Sequence, residues 1–440
     1  MIRRFFLTLL FFLLLQTPSD AQNILSDDLS GLSLEECLIL ALNNHPSLRK
    51  SKASIRDYSA QLETVRAANR VKVNLTGSAR YNGDYEFWND NYDNESLSLT
   101  ASKLLYDTGR NRIQKEIRRE NIKGSRQTHL STQITVAANA KRKYYDLVLK
   151  FLNRDVELEK YKNLEQHLKT AEGLYDVGNK AYIEVTKAQS DLSAAKVSLL
   201  KAENDILISE EALRVAMGTD INGPFNIALS TELLLPRPAD NVSAMIDTAL
   251  EDRADFRKLM HDIKAGELSV KDAARTSSPT VTGQLSTSTS NVKDTRVNNN
   301  YYIGVNMNVP VVDGGEMKAA VESARARLEQ YNADAESLRQ NITYSVRSAA
   351  LSLMNAVDRV KSSELSVKYA EENLTLAQGR YEVGVGDPIE VSDAVSALAA
   401  ARYTYYQALY DAQTSRADLD EALGHLPPEI EGKEELWEAQ

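Results

Sequence analysis

The chain has 440 residues, enough for about three domains of ordinary size, yet it contains only 19 glycines and 10 prolines. So few turn-forming residues indicate long, uninterrupted elements, and we expect helix to dominate. The formal net charge is −10. This charge argues against a nucleic-acid partner, because phosphate backbones are bound by clustered basic surfaces and no basic stripe is expected here.

The first 21 residues predict a secretory signal peptide. They begin with Arg3 and Arg4, continue with an apolar run over 5–15 and end in small residues, with cleavage expected after Ala21. A membrane anchor is the alternative, but the apolar run is shorter than the ~20 residues that a spanning helix needs. We therefore expect an exported chain, whose single cysteine, Cys37, is a buried thiol.

An internal repeat organises the rest of the chain. The phrase "YDVGNKAYIEV" (175–185) returns as "YEVGVGDPIEV" (381–391), and residues 171–218 align without a gap with 377–424, at an offset of 206. Upstream, "LLYDTGRNR" faces "PVVDGGEMK" at the same offset. The pattern predicts a first repeat over 22–218, a linker over 219–240, a second repeat over 241–424 and an acidic tail over 425–440.

Each repeat is expected to contain a helix, a β-hairpin, a very long helix, a tip and a returning helix. The first helix begins at Ser33, which with Glu36 forms a capping-box pattern, and is expected to continue to about Asn69. The remaining elements are expected at 71–105 (hairpin), 110–175 (long helix) and 181–217 (helix), and at 279–311, 315–381 and 388–423 in the second repeat.

The hairpin segments show strand periodicity with one apolar face. In "VKVNLTGSARY" the residues Val71, Val73 and Leu75 alternate with polar ones, and in "YYIGVNMNV" Ile303 and Val305 do the same. Four such strands cannot close a barrel alone, but two chains would supply 8 strands and three chains 12. A soluble coiled-coil protein with peripheral hairpins is the alternative.

The long helices carry apolar residues in steps of three and four, which predicts coiled-coil seams with small alanines at the contact. Gly178 and Gly384 follow the last apolar residue of each long helix, where a C-terminal cap favours positive φ. Each repeat is therefore expected to be a rod with strands at one end and a bare helical tip at the other.

The signal peptide, the duplicated layout, the "YDTG" and "VDGG" corners and the paired tips resemble the outer membrane efflux protein family, the TolC-like trimeric channels. The resemblance covers roughly 30–424. It implies a mainly α fold with a membrane β part: a homotrimer with a 12-stranded β-barrel in the outer membrane and an α-helical barrel in the periplasm. It also implies a periplasmic adaptor protein and an inner-membrane efflux pump or ABC transporter as partners.

The resemblance implies two kinds of site. Residues of the tips contact the adaptor, which maps to Val177, Gly178, Asn179, Val383, Gly384 and Val385. Acidic residues just past the tips narrow the closed entrance, which maps to Glu184, Glu390 and Asp393. The alternatives are a simple helix-capping turn for the first set and a solvated helix face for the second. Some family members hold the entrance shut with a basic residue where this chain has Gly386.

Catalysis is not expected. The five histidines lack metal-ligand spacing, and the chain contains neither an HExxH motif nor a phosphate-binding loop. We expect no cofactor and no metal. A structural or adhesive envelope protein is the competing class, and the exported substrate, whether drug, metal ion or protein, is not specified by the sequence.

Overall fold

The computed structural model describes residues 32–82, 92–219, 235–237, 241–292, 296–433 and 435–438. The predicted signal peptide and most of the expected linker lie outside these ranges. The first set of elements is α1 (Leu34–Asn44), α2 (Pro46–Ala67), β1 (Lys72–Asn82), β2 (Tyr92–Tyr106), α3 (Arg110–Asp176) and α4 (Tyr182–Met217). The second is α5 (Val242–Asp252), α6 (Ala254–Ala273), β3 (Thr280–Val292), β4 (Arg296–Asn308), α7 (Glu316–Glu382) and α8 (Pro388–Leu423), followed by α9 (Glu435–Glu438).

The expectation of one continuous helix from Ser33 to about Asn69 is wrong. The helix is interrupted at His45, which has extended backbone geometry (φ −62°, ψ 127°) and precedes Pro46. Proline lacks an N–H to donate and forces the residue before it out of the helical region. The second repeat has the same break at Arg253 without a proline. The capping box at Ser33 and Glu36 is present.

The two long helices set the size of the molecule. Helices α3 and α7 each contain 67 residues, which corresponds to a length of about 100 Å. Helix α3 packs against α2 near the sheet and against α4 near the tip, and α7 packs against α6 and α8 in the same way. Because α3 also contacts α6 and α8, the helices form one layer in the order α2/α4, α3, α6/α8, α7.

Alanines lie at the contacts between helices, as the heptad pattern predicts. Ala171 in α3 is fully buried, and Ala188 and Ala195 in α4 are each 1% exposed. Small side chains allow close approach of two helix backbones. The two repeats differ at one seam position, because Tyr175 is 44% exposed and its counterpart Tyr381 is 2% exposed.

Glycines close the two equatorial joints where helices meet end to end. Helix α4 ends at Gly218 (φ 64°), and a Cβ built there lies 2.7 Å from the Cα of His45, the residue between α1 and α2. Helix α8 ends at Gly424 (φ 80°), where a Cβ lies 3.0 Å from the Cα of Arg253. Both joints need a residue that tolerates positive φ and has no side chain.

The four strands form one antiparallel sheet in the order β1-β2-β3-β4. Strand pairing places Leu75 opposite Leu99, and Ala101 opposite Leu285, which in turn faces Ile303. Apolar rows therefore share one face across all four strands. The other face is polar, with rows such as Thr76–Ser98–Ser288–Asn300.

The apolar face of the sheet is exposed in the single chain. Val73 is 62% exposed, Leu75 67% and Ile303 77%, so the described residues leave most of this face uncovered. Among the described helices, none is long and apolar enough to cross a membrane.

The acidic C-terminal tail packs against the helices of the first repeat. Ile430 is fully buried and Trp437 is 6% exposed, and both belong to a core cluster with Leu38 of α1. Buried Lys141 of α3 donates to Glu429 at 2.7 Å. The tail therefore fastens α1 to α3 at the middle of the rod.

Alanine substitutions should separate the joint glycines from the tip glycines. Gly178→Ala and Gly384→Ala introduce strain at positive φ alone, because nothing lies within 4 Å of the added Cβ, and should cost about 1–2 kcal/mol. Gly218→Ala and Gly424→Ala add a backbone clash and should cost about 2–5 kcal/mol. Thermal unfolding in detergent, followed by circular dichroism, measures the difference, and equal Tm losses at all four positions would contradict it.

Candidate functional site

Each long helix ends in a tight turn closed by a glycine. In the first tip the Gly178 N–H donates to the carbonyl of Tyr175 at 2.8 Å, and Gly178 has φ 77°. In the second tip the Gly384 N–H donates to the carbonyl of Tyr381 at 3.0 Å, and Gly384 has φ 82°. The glycines are thus required by backbone conformation, since left-handed φ is strained for other residues.

The tips are exposed and partly apolar. Val177 is 69% exposed, Val383 73% and Val385 71%, and Gly178, Asn179 and Gly384 are exposed with them. All six residues of the predicted adaptor contact therefore lie in the two turns and are accessible. Exposed apolar side chains at the end of a rod form a surface that a partner protein can cover.

The two tips of one chain contact each other through Lys180. Its Nζ donates to the carbonyl of Gly386 at 3.4 Å, lies 3.5 Å from a carboxylate oxygen of Glu184 and stands 5.5 Å from the ring centroid of Tyr381. The Tyr381 hydroxyl donates to Glu184 at 3.4 Å. These contacts join the start of α4 to the end of α7.

Gly386 has no space for a side chain. Its N–H donates to the carbonyl of Arg380 at 2.9 Å, and an added Cβ would lie 2.8 Å from the backbone nitrogen of Tyr381. Lys180 lies at the equivalent position of the first repeat, at the offset of 206. Some family members have a basic residue at the position of Gly386. In this chain the ammonium group of Lys180, from the first tip, lies beside Gly386 instead.

The three predicted entrance residues do not form one cluster within the chain. Glu184 lies between the two tips, where Lys180 and Tyr381 contact it. Glu390, in the first turn of α8, is half exposed and lies 3.6 Å from Arg380. Asp393 is exposed one turn further along α8, on the same side as Glu390 because residues three apart share a helix face.

Two residues that the sequence analysis did not single out complete the tip contact. His167 of α3 is 6% exposed, its ring centroid lies 4.9 Å from that of Tyr381, and its Nδ1 has no hydrogen-bond partner among the described residues. Asp191 of α4 accepts a hydrogen bond from Ser392 of α8 at 3.0 Å. The repeat offset could have revealed Lys180, whereas His167 lies beside Tyr381 only through packing between repeats.

Burial determines the electrostatics of this contact. Desolvation lowers the pKa of His167, with Asp191 and Glu184 opposing this shift and Lys187 adding to it. Desolvation and the neighbouring Glu184 raise the pKa of Tyr381 to about 12. Both side chains are therefore neutral at neutral pH. Among the described residues, no group of three or more acidic, histidine or cysteine side chains could hold a metal ion.

Acidification should loosen the tips through His167. Because its pKa is lowered in the folded state, neutral His167 contributes stability above its unfolded pKa of about 6.5, and this contribution is lost as the pH falls through the folded value. Hydrogen exchange at the tips, corrected for intrinsic rates, should rise about threefold or more between about pH 7.5 and about pH 5.

Two variants separate this effect from general acid sensitivity. His167→Phe should flatten the pH dependence, because the ring contact with Tyr381 remains without a titrating group. His425→Phe changes an exposed histidine after α8 and should leave the dependence as in the wild type. If the pH dependence of hydrogen exchange persists in His167→Phe, the carboxylates and not His167 cause it.

The fold and the tips together define a class of protein. Within the described residues, an uncovered apolar sheet face, two strands paired on one side only and long rods that end in exposed turns are the architecture of a channel subunit. The chain belongs to the outer membrane efflux protein family, whose sequence model, described as Outer membrane efflux protein, matches residues 38–219 and 245–425.

Relatives agree with this assignment. The chain is similar to the probable outer membrane lipoprotein SilC of Salmonella typhimurium, with 23% identity over 390 residues that cover 87% of this chain and 84% of SilC. It is 22% identical to outer membrane protein TolC of Vibrio cholerae over 416 residues, which cover 93% of this chain and 94% of TolC.

The solved structures agree with the fold. A crystal structure of CusC matches with a TM-score of 0.77 at 20% identity, covering 89% of this chain and 92% of CusC. The protein is therefore an outer membrane efflux channel of a Gram-negative-type bacterium, and nothing supports a structural or adhesive role.

Proposed function

We propose that three copies of the chain form a passive exit duct across the outer membrane and the periplasm. The observation that carries the proposal is the four-stranded sheet, which has an exposed apolar face and two outer strands, β1 and β4, paired on one side only within the described chain. Hydrocarbon does not tolerate unpaired strand edges. Three such sheets joined edge to edge make a closed 12-stranded barrel.

The direction of the strands is compatible with closure. All neighbouring strands in the sheet are antiparallel, so β1 and β4 also run in opposite directions. A β4 strand can therefore pair with the β1 strand of the next chain in the antiparallel sense that an even-numbered barrel requires. The polar face, rich in serine, threonine and asparagine, would line a water-filled lumen.

The helices continue the duct into the periplasm. Rods about 100 Å long place the tips far from the membrane, where a periplasmic adaptor protein can reach them. The exposed turn residues Val177, Gly178, Asn179, Val383, Gly384 and Val385 form the proposed contact. An inner-membrane efflux pump or ABC transporter supplies the substrate, so the choice between drug, metal ion and protein resides mainly in that partner.

Acidic residues beside the tips form the proposed entrance. Glu390 and Asp393 are exposed on α8, and threefold symmetry would turn each into a ring of like charges around a narrow opening. Glu184 belongs to the same region, but its contacts with Lys180 and Tyr381 reduce the charge it presents. Cations should therefore be concentrated at the entrance mainly by α8.

Single-channel recording in planar bilayers tests this proposal. Trivalent cations added to the periplasmic side should block the current. In the double variant Glu390→Gln/Asp393→Asn the blocking concentration should rise about tenfold and the cation preference should fall, because the field at a low-dielectric constriction depends on these charges. Glu184→Gln should have a smaller effect on block.

Lys72→Gln in β1 provides the control. Lys72 lies on the polar sheet face, in the row with Ser102 and Gln284, far from the tips, and its loss should change the block much less. A protein that inserts but does not conduct would refute the duct. Normal conductance with unchanged block in the double variant would instead move Glu390 and Asp393 to the outer helix face.

A further inference from the structure

The net charge of the whole chain conceals a basic segment at the start of α3, contrary to the expectation that no basic stripe exists. Residues 110–126 contain seven basic and two acidic residues, a net charge of +5. The equivalent segment of α7, residues 316–332, contains three of each and has no net charge. Both segments start a long helix after a strand, so the fold itself does not require the basic residues.

We propose that the start of α3 binds anionic phospholipid headgroups of the periplasmic leaflet of the outer membrane. This inference rests on the proposed duct, because it needs the sheet to be inserted in that membrane. It assigns a lipid-binding surface, which we call the basic collar, to Arg112, Lys115 and Arg119.

Within the described chain, the cations of the collar form at most one weak ion pair with the protein's own carboxylates. Arg110 pairs with Asp272 at 3.2 Å and Lys123 with Glu120 at 2.9 Å, but within the described chain Lys115 and Arg119 have no acidic partner. Arg112 lies 3.6 Å from Glu116 and remains 86% exposed, a geometry that contributes little. Three cations are thus available to an anionic ligand.

The collar borders a cavity. Arg112, Lys115 and Arg119 line a groove of about 330 Å³ together with Asp107, Glu116 and Asn69, which follows α2. Phosphate oxygens are bound well by converging guanidinium and ammonium groups. The two carboxylates of the lining, Asp107 and Glu116, leave the groove with a net charge of +1 against the three cations, and the Asp107 carboxylate accepts hydrogen bonds from the N–H groups of Gly109 and Asn111.

The collar lies on the outer surface of the rod. Helix α3 contacts α2 through Arg118 and α6 through Glu120. Around the axis of α3, Arg118 and Glu120 divide the helix surface into a wider and a narrower arc. The narrower arc contains Ile117 and Asn121, which line a groove shared with α6 and α7, so this arc faces the concave side of the helical layer. With 3.6 residues per turn, Arg112 and Arg119 fall on the opposite, convex side, which faces away from the duct.

The collar also lies at the depth of lipid headgroups. A β-bulge after Leu104 places Tyr106 opposite Val281, on the apolar face, and Lys103 lies on that face beside Gly283. Tyrosine and lysine are typical of the membrane interface. Helix α3 begins four residues after Tyr106, and Arg119 is about 14 Å further along its axis. The collar therefore extends from the headgroup layer to about one Debye length below it.

Native mass spectrometry of the assembled channel tests the inference. With phosphatidylglycerol and phosphatidylcholine offered in equal amounts, the wild type should retain phosphatidylglycerol preferentially. Arg112→Gln/Arg119→Gln should lower that preference at least about tenfold, since each basic residue near an anionic surface contributes about fivefold. Arg112→Lys/Arg119→Lys should keep most of the preference.

The second repeat provides a matched control. Lys318 and Arg325 lie at the equivalent positions of α7. Because Glu316, Glu322 and Glu329 leave that segment without net charge, Lys318→Gln/Arg325→Gln should change the preference much less than Arg112→Gln/Arg119→Gln does. Equal losses in the two double variants, or no preference in the wild type, would overturn the assignment, as would binding to isolated peptidoglycan without any lipid preference. If Arg112→Gln/Arg119→Gln does not assemble, Lys115→Gln, whose side chain has no acidic partner in the described chain, gives the same test.

Conductance of the same preparation separates the two levels of the proposal. A wild-type channel that conducts but shows no preference for phosphatidylglycerol disproves the basic collar and leaves the duct intact. A preparation that binds lipid but does not conduct disproves the duct.

Discussion

The requirement that every strand edge in a membrane be hydrogen-bonded governs this structure. The sheet has one apolar face and ends at two strands, β1 and β4, whose outer edges pair with no other strand in the described part of the chain. Backbone groups cannot remain unpaired in hydrocarbon, so the proposed duct needs several copies of the chain. In the proposed duct, oligomerisation is thus a consequence of strand number. The threefold symmetry of the barrel extends to the helices and to the tips.

The helical part forms a single layer that extends over a long distance. Alanine seams bring helices close together, while Gly218 and Gly424 let two shorter helices abut beside each long one. Duplication supplies the same joint twice, yet the repeats have diverged where their roles differ. Tyr381 is buried between the tips while Tyr175 is exposed, and only the first repeat carries the basic collar.

The element order and the tips could be predicted because they depend on local signals: strand alternation, heptad spacing and positive-φ glycines. The break at His45 was missed although Pro46 signals it, because helical periodicity continues across the break. The packing of Ile430 and Trp437 on α1, and of His167 on Tyr381, could not be predicted, since these contacts join residues far apart in sequence. The repeat offset alone could have identified Lys180 as the counterpart of Gly386.

Disulfide trapping across the sheet edges tests closure between chains most directly. Within one chain β1 and β4 are three strand spacings apart, about 14 Å, beyond the ~4.4–6.8 Å between Cα atoms that a disulfide spans. Cysteines at Ser78 in β1 and at Asn298, Asn300 or Tyr302 in β4 can therefore be joined only between chains, and buried Cys37, whose pKa is raised to about 12 by desolvation, should not interfere. Covalent trimers are expected for at least one pair in native membranes, and monomers for every pair would contradict closure between chains.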